Sequence, residues 1–162
     1  MQNIQALSDS QLLNQTQRLA FDERKLTVEI LHHLLEIDRR KLYIRFRCGS
    51  LFEYCEKVLK YSGGSASRRI GAMRLLKKLP AVEAKLADGA LTLSHLSQIG
   101  PFAKYHDLNL EQVSDLLKSV EGMSTRQCQS VLAALAPETP KPDQSRPIRN
   151  EMTEIRLTCL VN

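Results

Sequence analysis

From Ser8 to Leu135 the chain is cut by helix-starting residues into segments whose apolar positions recur every three to four residues. That spacing confines it to helices packed through one face each. Ser8 or Ser10 can cap a first helix carrying Leu12, Leu13 and Leu19. Asp22-Glu23 then reads as the opening of a longer segment from Phe21 to about Arg45, with Leu26, Ile30, Leu34, Ile37 and Leu42 as its apolar stripe. Ser50 can cap a short helix, 51–60, and Ser62 another that runs to about Leu79. Pro80 starts a further helix that Gly89 ends; Thr92 starts one that Gly100-Pro101 is expected to close. Asn109 with Gln112, and Ser124 with Gln127, fit the capping-box pattern ahead of helices 110–119 and 125–135.

After Ala136 the pattern changes. PETPKPDQSRPIRN holds four prolines and little to bury, so 136–150 reads as a linker. Residues 151–162 then alternate, with Ile155, Leu157, Cys159 and Val161 on one side, which predicts one isolated strand. A lone strand must pair with another copy or partner, or open a further domain.

With 162 residues, 43% hydrophobic and 25% charged, the chain can bury a core without disulfide or metal staples. Tryptophan is absent and aromatics are 5%, which argues against an all-β sandwich. No apolar run approaches the ~18 residues of a membrane span. The N-terminus, MQNIQALSDS, lacks the features of a secretory signal, so a cytoplasmic location with reduced thiols is expected. Cys48, Cys55, Cys128 and Cys159 show no metal-binding spacing, and Cys55 and Cys128 read as small buried hydrophobes. His32 and His33 point about 100° apart on a helix and cannot share an ion. His95 and His106 have no ligand at suitable spacing. No nucleophile elbow, zinc-protease, phosphate-loop or dinucleotide motif occurs, so neither enzyme activity nor a cofactor or metal is expected.

Charge is the informative feature. Between Arg39 and Lys78 twelve basic residues face only Glu53 and Glu56, a local balance of +10 in a chain of net +5. One concentrated basic surface is the footprint of polyanion binding, although a merely solvated face has the same composition. Within this stretch residues 51–79 read as helix, turn, helix. Leu51, Cys55, Val58 and Leu59 face inward on the first helix, Tyr61 plugs the turn, and Ala66, Ile70 and Met73 form the buried stripe of the second. A helix-turn-helix of this kind presents its second helix to the major groove. Ser62, Gly63, Gly64, Ser67 and Arg68 then face outward. Arg68 has the reach to read guanine or grip phosphate, and Ser62 and Ser67 can hydrogen-bond nearby. Arg69 and Arg74 suit phosphate contacts, with Arg39, Arg40, Lys41, Arg45 and Arg47 adding neutralisation. Lys60 stands in the turn where such units most often carry glycine.

The phrases LSDSQLL, ERKLTVEILHHLLEIDRRKLY, SLFEYCEKVLKYS, SRRIGAMRLLKKLP and LTLSHLSQ resemble the helical N-terminal region that precedes HNH nuclease domains in a set of bacterial proteins. The resemblance covers residues 7–135 and extends to TEIRLT. It implies an all-helical module that accompanies a DNA-cutting enzyme and helps it hold DNA. No HNH residue carries over, because the last histidine, His106, lies within the helical region. Ser67 stands where such proteins carry an aromatic residue, and Gly63-Gly64 is unusually bare for them. The expectation is therefore an all-α module, 8–135, with a central helix-turn-helix, followed by a linker and one short strand. It binds double-stranded DNA without cutting it, either as a truncated relative of such nucleases or as a complete product. The competing expectation is a helical interaction module that docks a protein partner, a nuclease subunit or a second copy, with the C-terminal strand as the docking edge.

Overall fold

The computed structural model describes residues 4–135, 144–149 and 152–156. Residues 9–135 form seven α-helices, so the body of the chain is all-α. The first, α1 (Asp9–Arg39), is one continuous helix rather than the two expected. Asp22-Glu23 does not restart it because the sequence has no glycine or proline before Gly49 to break the helical hydrogen bonds. Ser8 and Gln11 close a capping box at its start. It ends earlier than expected, where Lys41 turns left-handed at φ 52° and starts a 3-10 turn, Leu42–Phe46.

The buried stripe of α1 is also shifted. Val28, Leu31 and Leu34 enter the core, while Leu26 is 58% exposed and Ile30 and Ile37 are only half-buried. Apolar residues occur on several sides of this helix, and the neighbours it meets select the stripe. Arg24 donates from Nε to the Ala87 carbonyl at 3.2 Å, and His32 Nε2 lies 3.1 Å from Glu83 of the same neighbouring helix. Up to about residue 23, α1 runs clear of the body: Leu12, Leu13 and Leu19 are exposed, the last by 68%.

Helix α2 (Leu51–Lys57) is capped by Ser50, whose hydroxyl accepts the Glu53 N–H at 3.1 Å. It buries Leu51, Tyr54 and Cys55; Val58, expected inside, lies just past the helix end and is 36% exposed. The connection 58–62 reverses through Lys60 at φ 61°, the left-handed conformation that usually falls to glycine. Helix α3 (Gly63–Lys78) follows and is the centre of the fold, packed by α1, α2 and α5. Ala66, Ile70, Ala72, Met73, Leu75 and Leu76 are buried on it.

Helix α4 (Val82–Asp88) ends at Gly89, whose φ of 88° makes it a left-handed cap. Helix α5 (Leu93–Tyr105) starts from Thr92 and runs straight through Gly100-Pro101, which were expected to end it. The inner stripe His95, Leu96, Ile99 and Ala103 is buried on both sides of Pro101 and holds the helix together. Gly100, lacking a Cβ, relieves the clash that a residue before proline meets in a helix. His95 also completes the cap: its Nδ1 accepts the Thr92 N–H at 3.3 Å, and it is 1% exposed. Helices α6 (Leu110–Ser119) and α7 (Thr125–Leu135) carry the two expected capping boxes.

Cys48, Cys55 and Cys128 are buried thiols, and burial pushes the Cys55 and Cys128 thiols above their ordinary range. No helix among the described residues is long and apolar enough to cross a membrane. Of the C-terminal segment, the backbone of β1 (Gln144–Arg149) and β2 (Met152–Arg156) is described, paired antiparallel with Gln144 opposite Arg156, so part of the expected linker is a strand and the expected strand is not isolated. The rest of the expected linker and strand, Cys159 included, lies outside the described residues.

The shifted stripe has a direct check. Leu31→Ala should cost about 2–5 kcal/mol in urea unfolding, whereas Leu26→Ala should stay within about 0.5.

Candidate nucleic-acid interface

Helix geometry puts residues 64, 67, 68, 71, 74, 75 and 78 of α3 on one face, turned away from Ala66 and Met73 and bordered by Ile70. Gly64, Ser67, Arg68, Arg74 and Lys78 are exposed there. Alongside this face a groove of about 670 Å³ opens between α3 and α5. Ser67, Arg68, Gly71, Arg74, Leu75 and Lys78 form one wall, and Leu96, Ser97, Gly100, Pro101 and Lys104 the other. Four cations line it and no carboxylate does. None of the four makes an ion pair among the described residues. A second depression, of about 490 Å³, flanks α3 on its other side, shares Ser67, Gly71 and Arg74, and is walled by Asp38, Tyr43 and the start of α2.

Each wall of the groove carries a glycine, Gly71 on α3 and Gly100 on α5, beside the apolar Leu75, Leu96 and Pro101. A Cβ added at Gly71 or at Gly100 would meet nothing within 4 Å. A glycine inside a helix costs roughly 0.5–1 kcal/mol relative to alanine. At Gly100 the following proline accounts for that cost. At Gly71 no neighbour in the fold requires it.

The expected contact residues divide into two groups. Arg68 and Arg74 reach the groove; Ser67 lies on its edge. The Arg68 guanidinium folds back towards Gly64, with Nη1 3.7 Å from where a Cβ there would sit. Arg69 is turned into the structure instead. Its guanidinium lies 4.2 Å from the centre of the Tyr61 ring, and it donates to the Ser65 hydroxyl. Ser62 is the N-cap of α3 and its hydroxyl accepts the Ser65 N–H at 3.3 Å. The tip of α3 also has an acid against it. A Cβ at Gly63 would come within 3.0 Å of Glu56 Oε1, so a carboxylate already answers the positive end of this helix.

The segment before α2 is similarly divided. Arg39 and Arg40 both pair with Glu36, Arg39 through Nε at 2.7 Å and Nη2 at 2.6 Å. The two guanidinium groups hold the Glu36 carboxyl down at about 2, so it remains charged and offsets them throughout the neutral range. Lys41, Arg45 and Arg47 are exposed on the 3-10 turn and its flanks, with no ion pair among the described residues. Lys57 pairs with Glu53 at 2.5 Å, which pushes the Glu53 carboxyl down. The basic stretch therefore does not act as one block. What the sequence missed is the wall contributed by α5, with Lys104, Ser97 and Gly100.

No group of three His, Cys, Asp or Glu that could hold a metal ion occurs among the described residues. No family model matches the chain, and neither a curated protein nor a solved structure is significantly similar to it.

The two arginines at the start of α3 should separate in stability. Arg69→Ala, which removes the ring contact and the Ser65 bond, should lower urea stability by about 1–2 kcal/mol. Arg68→Ala should change it by less than about 0.5 kcal/mol.

Proposed function

We propose that this chain is a DNA-binding module without catalytic activity, which holds double-stranded DNA against the outer face of α3. One observation supports the reading above the others: the exposed face of the central helix carries only small and cationic side chains, Gly64, Ser67, Arg68, Gly71, Arg74 and Lys78. Small residues let a helix approach a duplex closely, and unpaired guanidinium groups displace condensed counterions from phosphates. On this reading α2 and α3 work as a helix-turn-helix, with α3 entering the major groove. Arg68 and Ser67 lie nearest the base edges, and Arg74 and Lys78 along the phosphates. Lys41, Arg45 and Arg47 add neutralisation from the turn after α1. Arg39, Arg40, Arg69 and Ser62 contribute less, since each already has a partner. The likeness to regions that precede HNH nuclease domains accords with a module that holds DNA for a cutting domain located elsewhere.

A different observation favours a second reading, a helical protein-interaction module that makes no DNA contact. Leu12, Leu13, Leu19 and Leu26 are exposed along one helix, three of them seven residues apart. Such a row suits packing against a partner helix.

Binding of a labelled duplex, followed by fluorescence anisotropy across a salt series, tests the first reading. With about five phosphates engaged, log affinity should fall against log salt with a slope near −4.5. Arg68→Ala with Arg74→Ala should weaken binding about tenfold or more and flatten the slope by about 2, with the helical circular dichroism unchanged. A slope near zero together with a dimeric sedimentation profile would instead establish the interaction reading.

A further inference from the structure

We infer that the groove between α3 and α5 seats the phosphodiester backbone of one DNA strand, with Lys78 and Lys104 as phosphate ligands and Gly71 as the point of closest approach. This rests on the DNA-binding reading and adds a second helix to the contact surface. At its N-terminal tip a helix normally offers its first amides to an anion. Here Glu56 stands against Gly63 and the Ser62 hydroxyl is used in capping. A phosphate at the tip would meet a carboxylate. Further along the helix no such obstacle exists: the groove has four cations and no acid in its lining.

The distribution of those cations specifies the ligand. Arg68 and Lys78 are separated by ten positions on α3, a span of about 15 Å at the rise of an α-helix. Lys104 stands across the groove on α5. Charges spread over that length suit a continuous polyanion, whose phosphates advance by about 3.4 Å per nucleotide along the duplex. A single small anion could engage only one or two of them. The α3 wall fits the same ligand. Gly71 is a helix-interior glycine with open space where its side chain would be. Gly71 lines this groove and also the depression on the other side of α3, so the absence of a side chain leaves the groove open to whatever enters it.

The test uses the full chain, a fluorescein-labelled 20-base-pair duplex and a potassium chloride series, with four proteins compared: wild type, the two groove variants below, and Arg68→Ala with Arg74→Ala. Wild type should show the steep salt dependence already described. Lys78→Gln with Lys104→Gln, both on exposed side chains, should flatten the slope by about 1.8, since each lost phosphate contact is worth about 0.9. Gly71→Ala should raise the melting temperature, because alanine favours the helix, and yet weaken binding severalfold. If the lysine pair and Gly71→Ala both bind as wild type does while Arg68→Ala with Arg74→Ala is impaired, the groove is not the strand's seat and the DNA-binding reading survives without it. If wild type itself shows no salt-dependent binding, both fall together.

Discussion

The burial of α3 on three sides governs the rest of this structure. Its inner positions are taken by α1, α2 and α5, and Ala66, Ile70, Ala72, Met73, Leu75 and Leu76 are all withdrawn from solvent. Apolar burial of this extent, at about 25 cal/mol per Å², fixes the rotation of the helix about its own axis. Once the rotation is set, the composition of the remaining face follows. That face carries no large apolar side chain standing free, and its charges are all positive. The same packing brings α5 alongside, so that a surface which would otherwise be convex has a cationic wall opposite it.

The turn between α2 and α3 has its own support. Lys60 takes a left-handed conformation without being glycine, at a cost of order 1 kcal/mol or more. The neighbouring contacts offset it: the Tyr61 N–H bonds to the Cys55 carbonyl at 3.0 Å, and the Tyr61 ring carries the Arg69 guanidinium. Arg69 thus uses its charge to hold the turn that positions α3, and Arg68, one residue earlier, is left to face outward. Adjacent arginines in a sequence can have unrelated tasks because a helix turns by about 100° per residue.

Features that depend on neighbours three residues apart were legible in the sequence. The boxes of Asn109 with Gln112 and Ser124 with Gln127 are of this kind, as is the capping role of Ser50 and Ser62. The stripe Ala66, Ile70 and Met73 was legible too, because little else on α3 competes with it. On α1 the apolar spacing favours Leu26 over Leu31, since apolar residues surround that helix and only its contacts with α3 and α4 distinguish them. Pro101 reads as a stop because proline usually is one; the burial of Ile99 and Ala103 on either side of it is a tertiary effect. Lys104 is not legible in the sequence for the same reason. Nothing local links it to Arg68, and only the packing of α5 on α3 brings them to one groove.

The central claim is that DNA lies on the outer face of α3 and in the groove beside it. Amide chemical shifts from a 15N-labelled sample, followed while an unlabelled duplex is added at low salt, test it residue by residue. The account predicts movement at Gly64, Ser67, Gly71, Gly100 and Lys104, with the signals of α6 and α7 unmoved. Shifts confined to residues 9–26 of α1, or no shifts at all under those conditions, would contradict it.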